Sequence, residues 1–200
     1  MSNDSTDWAA RYRGADTPWD LGAAHPELQA RVRELAKFRE ASGGRALVAG
    51  CGRGHDALCL AEAGWRVTAL DIVDATAGDL GRRLSQLGGT FRVEDALGAG
   101  NGEKFDLVFE HTFFCAIDPA LRPRWGASMG RALTQGGALC ALVFPVGKPA
   151  ADGGPPFGNS TADMLAALGS GFVARLDQVV THGVARRSWP ERWVEFARAD

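Results

Sequence analysis

Short apolar runs alternate with amphipathic segments along most of this 200-residue chain. Apolar runs bounded by glycine or polar residues predict buried strands, whereas apolar residues spaced three and four apart predict helices. The predicted strands are 46–49, 65–70, 90–93, 104–110, 138–144, 172–180 and 192–199. The predicted helices are 5–13, 26–41, one ending at Gly64, one from Asp74 to Leu87, one beginning at 118–119, and 161–168. This order predicts an α/β fold with a mostly parallel sheet, helices on both faces and an antiparallel edge.

The segment 45–71, RALVAGCGRGHDALCLAEAGWRVTALD, combines a strand, a glycine-rich turn, a helix and a second strand. Glycines allow tight turns and let a ligand approach the main chain. Asp71 lies 21 residues after Gly50, a spacing at which an acid can bind ribose hydroxyls. His55 stands where a dinucleotide fingerprint requires its third glycine. The unit predicts an adenosine-bearing cofactor other than a dinucleotide and disfavours a nicotinamide-dependent oxidoreductase.

Composition narrows the classes of function. The chain is 46% hydrophobic, has a formal charge of −2 and a pI of about 6.1. One domain can therefore bury a full core, and neither a nucleic acid nor an anionic membrane is expected as the main partner. The N-terminal residues are polar, and the longest apolar run, 138–146, is far shorter than the ~20 residues that cross a bilayer. We expect a cytoplasmic protein, monomeric or weakly homo-oligomeric, that acts on a small molecule.

Cysteine and arginine positions add two expectations. The four cysteines are Cys51, Cys59, Cys115 and Cys140. They show no CxxC spacing and lie in apolar segments, so we expect free thiols and no metal site. Cys115 is interpreted as structural because no partner for a nucleophile is apparent. The nearest approach to a basic cluster, Arg186-Arg187, is interpreted as a solvated surface pair.

Three large aromatic residues, Trp8, Tyr12 and Trp19, precede the first predicted strand. They either anchor a terminal segment on the core or form a lid over the cofactor, where electron-rich rings suit a sulfonium cation. The second alternative divides the chain into a cofactor-covering segment, 1–25, and a single cofactor-binding domain, 26–200.

These motifs resemble the thiopurine S-methyltransferase family, and within it the thiol, thiocyanate and halide methyltransferase branch. The resemblance rests on the N-terminal aromatics, VAGCGRG, HTFFCAIDPALRPRW and PPFG, and it spans about residues 8–196. It implies the class I methyltransferase fold, a Rossmann-like seven-stranded sheet. It also implies S-adenosylmethionine (SAM) as cofactor, with S-adenosylhomocysteine (SAH) as product.

The resemblance also implies contacts for the cofactor. The N-terminal aromatics would cover SAM, the glycines would lie against its methionine portion, and Asp71 would hold its ribose. Asp95 and Ala96 would read the adenine edge. Glu110 and His111 take the place of an Asp-Tyr pair, so His111 either contacts the methionine group or supplies a base. The expected cofactor-binding residues are Trp8, Tyr12, Trp19, Gly50, Gly52, Asp71, Asp95, Ala96, Glu110 and His111.

For the acceptor site, Arg122 falls where the thiopurine enzymes carry an arginine. A guanidinium favours an anionic thiolate, thiocyanate or halide. Phe114 and Phe157 are candidate apolar walls, and His111 and Arg122 are the candidate catalytic residues. The alternatives are a helix-surface arginine that pairs with Asp118 and phenylalanines that only fill the core.

The expected activity is methyl transfer from SAM to a small nucleophile by direct in-line displacement, with a thiol, thiolate, thiocyanate or halide as acceptor. The resemblance implies a role in detoxification or in secondary metabolism. Two alternatives stay open: N- or O-methylation of a small heterocycle, and SAM binding without catalysis.

Overall fold

The computed structural model describes residues 6–39, 43–98 and 102–199, and these residues form one seven-stranded sheet. The strands are β1 Arg45–Ala49, β2 Arg66–Asp71, β3 Thr90–Val93, β4 Phe105–His111, β5 Leu133–Val143, β6 Phe172–Val179 and β7 Arg192–Arg198. Their spatial order is β3-β2-β1-β4-β5-β7-β6. The strands from β3 to β5 pair in parallel, and β7 is antiparallel to both of its neighbours. The predicted fold class is confirmed.

Helices cover both faces of the sheet. They are α1 Trp8–Arg13, α2 Pro26–Arg31, α3 His55–Glu62, α4 Asp79–Gln86, α5 Arg122–Ala132 and α6 Thr161–Leu168. Alternate residues of β1 show why two layers form. Two hydrophobic clusters form, one on each face of the sheet. Leu47 belongs to the cluster that packs against α5 and α6, whereas Val48 belongs to the cluster that packs against α2, α3 and α4. Among the described residues, no helix is long and apolar enough to cross a membrane.

The predicted helix 26–41 is wrong in its extent. The α-helix ends at Arg31, a 3₁₀ segment follows at Glu34–Phe38, and residues 40–42 lie outside the described residues. Leu28 and Leu35 are both buried. Because apolar spacing indicates only which face is buried, it does not distinguish a continuous α-helix from one that tightens.

The predicted start of α4 is also wrong. Asp74 does not cap this helix: its carboxylate accepts hydrogen bonds from the N–H and the hydroxyl of Thr76, both at 3.0 Å. This side chain stabilises a separate turn, as aspartate often does. The helix itself begins at Asp79, after Gly78 in a left-handed conformation.

The carboxyl ends of the parallel strands bring the candidate residues together. β1 lies between β2 and β4, so the connections leave it in opposite directions. Ligands of open α/β sheets bind outside the strand ends at such a reversal. The Gly50 turn, Asp71 and His111 each follow or end one of these three strands.

Candidate active site

A cavity of about 750 Å³ opens at this edge of the sheet, a volume typical of small-molecule sites. Its walls come from the strand ends, from the segment around α1 and from the connection between β6 and β7. Nine of the predicted site residues line it: Trp8, Tyr12, Trp19, Gly50, Gly52, Asp71, Asp95, Ala96 and His111. Their individual roles remain predictions.

The turn after β1 exposes its main chain to the cavity because it is built from glycine. Gly50 has φ +62°, and a Cβ added there would lie 2.7 Å from ring carbons of Phe113. Gly52 has φ +56°, and its Cβ would lie 3.0 Å from the hydroxyl of Tyr12. Any side chain would strain this turn, and at Gly50 it would also collide with Phe113.

Asp71 ends β2 beside that turn. Its two carboxylate oxygens accept the backbone N–H groups of Gly52, at 2.8 Å, and Val73, at 3.0 Å. Burial raises the pKa of Asp71, and these backbone donors oppose the rise. Each oxygen can accept further hydrogen bonds, so the held carboxylate suits a diol such as a ribose.

The aromatic residues of the N-terminal segment form one cluster over the cavity. The Trp19 ring meets Trp8 edge-on at 5.4 Å and Tyr12 at 5.7 Å between centroids. The Arg11 guanidinium lies 4.4 Å over Trp19 and pairs with Asp16. Burial, followed by the charge of the neighbouring Asp71, raises the pKa of Tyr12 to about 12. Tyr12 is therefore a neutral phenol.

Asp20 ties this segment to two walls of the cavity. Its carboxylate pairs with Arg53 at 2.7 Å and lies 3.2 Å from His55 Nε2. Its backbone carbonyl accepts a hydrogen bond from Arg186. The segment is thus joined both to the glycine turn and to the connection between β6 and β7.

At the far end of the cavity, Asp95 and Ala96 follow β3. Asp95 accepts the backbone N–H of Leu97 at 2.9 Å, and its second oxygen lies 3.2 Å from an Arg124 nitrogen. Its side chain is 45% exposed. The carboxylate is therefore accessible at the mouth of the cavity rather than sealed beneath it.

His111 joins the cavity to a buried charged cluster. Its Nδ1 lies 2.6 Å from an Asp56 carboxylate oxygen, and its Nε2 lies 2.9 Å from Nη2 of Arg187. The other end of the Arg187 guanidinium pairs with Glu191, which lies 3.1 Å from His25 Nε2. The second oxygen of Asp56 accepts the backbone N–H of His25 at 2.8 Å. Five residues from four parts of the chain thus form one network.

The interpretation of Arg187 as a surface residue is wrong. Its side chain is only 7% exposed, lines the cavity, and packs 4.3 Å from the Phe144 ring. The neighbouring Arg186 is exposed, as expected of a loop residue. Charge alone does not distinguish the two, since only the folded chain brings His111 and Glu191 to Arg187.

Four predicted site residues do not line the cavity: Glu110, Phe114, Arg122 and Phe157. Glu110 and His111 are consecutive in β4, so their side chains lie on opposite faces of the sheet. Glu110 is buried beneath the following loop, where one carboxylate oxygen accepts the N–H groups of Phe113 and Phe114, both at 2.9 Å.

Phe114 packs edge-on against Trp125 at 4.7 Å, inside the core. Arg122 lies 4.6 Å over that phenylalanine and donates to the Gly158 carbonyl at 2.9 Å. Phe157 donates its backbone N–H to the Cys115 carbonyl at 2.7 Å. None of these three residues lines the cavity, and their role in binding the acceptor stays a prediction.

Cys115 lines the cavity as a neutral thiol. Burial raises its pKa to about 12, and its Sγ donates to the Thr112 carbonyl at 3.4 Å. A nucleophilic cysteine needs a lowered pKa, so this environment is inert. In the part of the chain that the structure describes, no group of three His, Cys, Asp or Glu side chains could hold a metal ion.

Comparison with known proteins identifies the family of the chain. A family model for thiopurine S-methyltransferase matches residues 3–83 and 89–195. The chain is 34% identical over 188 residues to probable thiol methyltransferase 2 of Arabidopsis thaliana, which covers 90% of this chain and 80% of that protein. It is 37% identical over 154 residues to thiocyanate methyltransferase 1 of Brassica oleracea, which covers 75% of this chain and 66% of that protein.

Solved structures agree on the fold. The Burkholderia thailandensis 1,6-didemethyltoxoflavin-N1-methyltransferase with bound 1,6-didemethyltoxoflavin and SAH has a TM-score of 0.75 at 18% identity. It covers 97% of this chain and 86% of that chain. The resemblance inferred from the motifs is confirmed, and SAM is the cofactor. The chain belongs to the thiopurine S-methyltransferase family of SAM-dependent methyltransferases.

Proposed function

We propose that this enzyme methylates a small, soft nucleophile that reacts as an anion, with a thiolate or thiocyanate as the first candidates. The observation that carries the proposal is the Arg187 guanidinium, which lies in the cavity wall with one face against Phe144. A planar, permanently charged guanidinium favours an anion beside it. The apolar ring of Phe144 favours an anion that is weakly hydrated.

The residues at the other end of the cavity suit the cofactor. Asp71 would hold the ribose hydroxyls, the exposed main chain at Gly50 and Gly52 would lie along the methionine portion, and Asp95 with Ala96 would contact the adenine. When bound, SAM supplies a methyl group on a sulfonium, which the acceptor's lone pair takes in a direct displacement that leaves SAH. The protein mainly has to align the acceptor and exclude water.

The N-terminal segment is the candidate for excluding water. The cluster of Trp8, Tyr12 and Trp19 covers the cavity, and Asp20 joins it to both neighbouring walls. Its aromatic faces suit a sulfonium cation. We infer that the predicted segment 1–25, of which residues 1–5 lie outside the described residues, serves as the cover of an otherwise single domain.

The test is the release of SAH from SAM across a panel of acceptors: hydrosulfide, thiocyanate, iodide, aliphatic and aromatic thiols, and N-heterocycles. We expect turnover of the acceptors that are anionic at the assay pH. Arg187→Met should lower kcat/KM for these by about 10- to 100-fold, the value of one charged hydrogen bond. Arg187→Lys, which keeps the charge, should lose less.

Arg82→Met is the matched control, because Arg82 is exposed on α4. SAH affinity and thermal melting of each variant separate acceptor effects from folding defects. Turnover confined to uncharged N-heterocycles would contradict the proposal. So would an Arg187→Met variant that loses the same factor with charged and neutral acceptors.

A further inference from the structure

The hydrogen bonds around His111 and His25 determine where each ring carries its proton. Arginine only donates, so Nε2 of His111 must accept from Arg187, and Nδ1 must carry the hydrogen donated to Asp56. His25 has the reverse arrangement. Its Nδ1 accepts the backbone N–H of Glu27 at 3.1 Å, so its Nε2 carries the hydrogen. Both rings are therefore neutral, with opposite tautomers.

We propose that His111 is a positioning residue: it accepts a hydrogen bond from Arg187 and so holds the guanidinium at the acceptor, while Asp56 fixes the tautomer that this requires. The proposal rests on the proposed function, since it concerns the same acceptor site. Glu191 holds the other end of the guanidinium. Fixed at two points, the guanidinium loses little freedom when an anion binds.

The same contacts argue against His111 as a general base. The lone pair that would take the acceptor's proton is directed at Arg187, 2.9 Å away. A proton there would also place two positive charges side by side. The site therefore recognises the charge of an acceptor that is already ionised, rather than removing its proton.

The effect of pH on the hydrogen bond between His111 and Arg187 follows from the groups that face His111. They are Asp56 on α3, Arg187 and Glu191 before β7, and His25 before α2. Burial lowers the pKa of His111, and the charge of Arg187 lowers it further, against the opposing effect of Asp56. His111 is thus neutral at pH 7, and the pair breaks only in acid, when Nε2 becomes a donor.

Two substitutions at this position separate its two contacts. In His111→Gln, the side-chain oxygen can reach the place of Nε2 and accept from Arg187 without titrating. In His111→Asn, the shorter amide can still donate to Asp56 but does not reach Arg187. We expect His111→Gln to retain most of the kcat/KM for anionic acceptors, with a flatter acid limb of its pH profile. His111→Asn should raise KM for these acceptors about tenfold, with kcat and SAH affinity little changed.

Asp56→Asn provides a second variant should His111→Asn fold poorly. An amide that donates to Nδ1 forces the hydrogen onto Nε2, against Arg187, so this variant should show the same KM defect. Two measurements do not depend on turnover: the ¹⁵N shifts of the His111 ring, and titration of thiocyanate into the SAH complex. We expect the Nδ1–H tautomer in the wild type and weaker thiocyanate binding in His111→Asn.

The positioning role would be overturned by an Nε2–H tautomer in the wild type, or by equal losses in His111→Gln and His111→Asn. A fall in kcat confined to neutral thiols would overturn it in favour of a base. These outcomes differ from failure of the proposed function, which would appear as a wild-type enzyme that methylates no anionic acceptor. The ring shifts still report the His111 tautomer in that case.

Discussion

Replacing Glu110 with glutamine should change how the stability of this enzyme depends on pH. Glu110 is 3% exposed at the end of β4. One carboxylate oxygen accepts two backbone N–H groups, and the other is buried with no hydrogen-bond partner among the described residues. Burial raises its pKa from 4.5 to about 7, against the opposing effect of the two N–H groups.

The sign and size follow from this shift. The folded state binds the proton of Glu110 more tightly than the unfolded state does. Protonated Glu110 therefore adds to the free energy of unfolding: this contribution is fully present below pH 4.5 and is lost as the pH rises through about 7. One pKa unit corresponds to about 1.4 kcal/mol, so the shift is worth about 3 kcal/mol. Glutamine does not titrate and keeps an oxygen for the two N–H groups.

Urea unfolding at pH 5 and pH 8 measures the effect. The free energy of unfolding of the wild type, relative to Glu110→Gln, should fall by about 2–3 kcal/mol between these two pH values. Glu62→Gln is the matched control, since Glu62 is exposed on α3. Groups that titrate in both proteins cancel in the difference.

Parallel stability curves for wild type and Glu110→Gln would refute the argument from burial. The same variant also distinguishes a direct contact of Glu110 with the cofactor from a purely structural role beneath the loop after β4. We expect its SAH affinity to match the wild type, because the carboxyl group does not line the cavity. A large loss of SAH binding in a stably folded variant would restore the direct cofactor contact that the sequence predicts.

Two further substitutions test the cavity walls. Asp71→Ala should weaken SAH binding by about 100-fold or more in equilibrium titrations, since two charged hydrogen bonds to the ribose are lost, and unchanged affinity would exclude this role. Arg122→Ala should lower the free energy of unfolding by about 1 kcal/mol, because its hydrogen bond to the Gly158 carbonyl is lost, with equal effects on charged and neutral acceptors. A loss confined to anionic acceptors would return Arg122 to the acceptor site.

The features that sequence alone predicted are those that one local unit specifies. The strand, glycine turn, helix and acid of 45–71 are contiguous, and the parallel crossover that they form has essentially one hand. Gly50 and Asp71 therefore had to lie at the same sheet edge. Strands that are apolar runs with clear limits were well located: β3 is Thr90–Val93, as predicted. The prediction for β5 was wrong in its start, which is Leu133 rather than residue 138, because Thr134 to Gly137 interrupt the apolar pattern.

The arrangement of charges around His111 was decided by tertiary structure. Glu110 and His111 occupy consecutive positions in β4, which is buried on both faces, so hydrophobic pattern cannot tell which of them faces the cavity. Arg187 is 76 residues from His111 in sequence, and no local signal distinguishes it from the exposed Arg186.

Sequence by itself thus determined the fold, the end of the cavity formed by Gly50 and Asp71, and the family, because short-range geometry and motif spacing specify them. Tertiary structure alone decided that the charges of Arg187 and Asp56 meet at His111. The Arg187 guanidinium is held by His111, which lies at the end of β4, and by Glu191, which lies in the connection between β6 and β7. Charge pairing of this kind depends on through-space distance and on burial, and neither can be read from the order of residues.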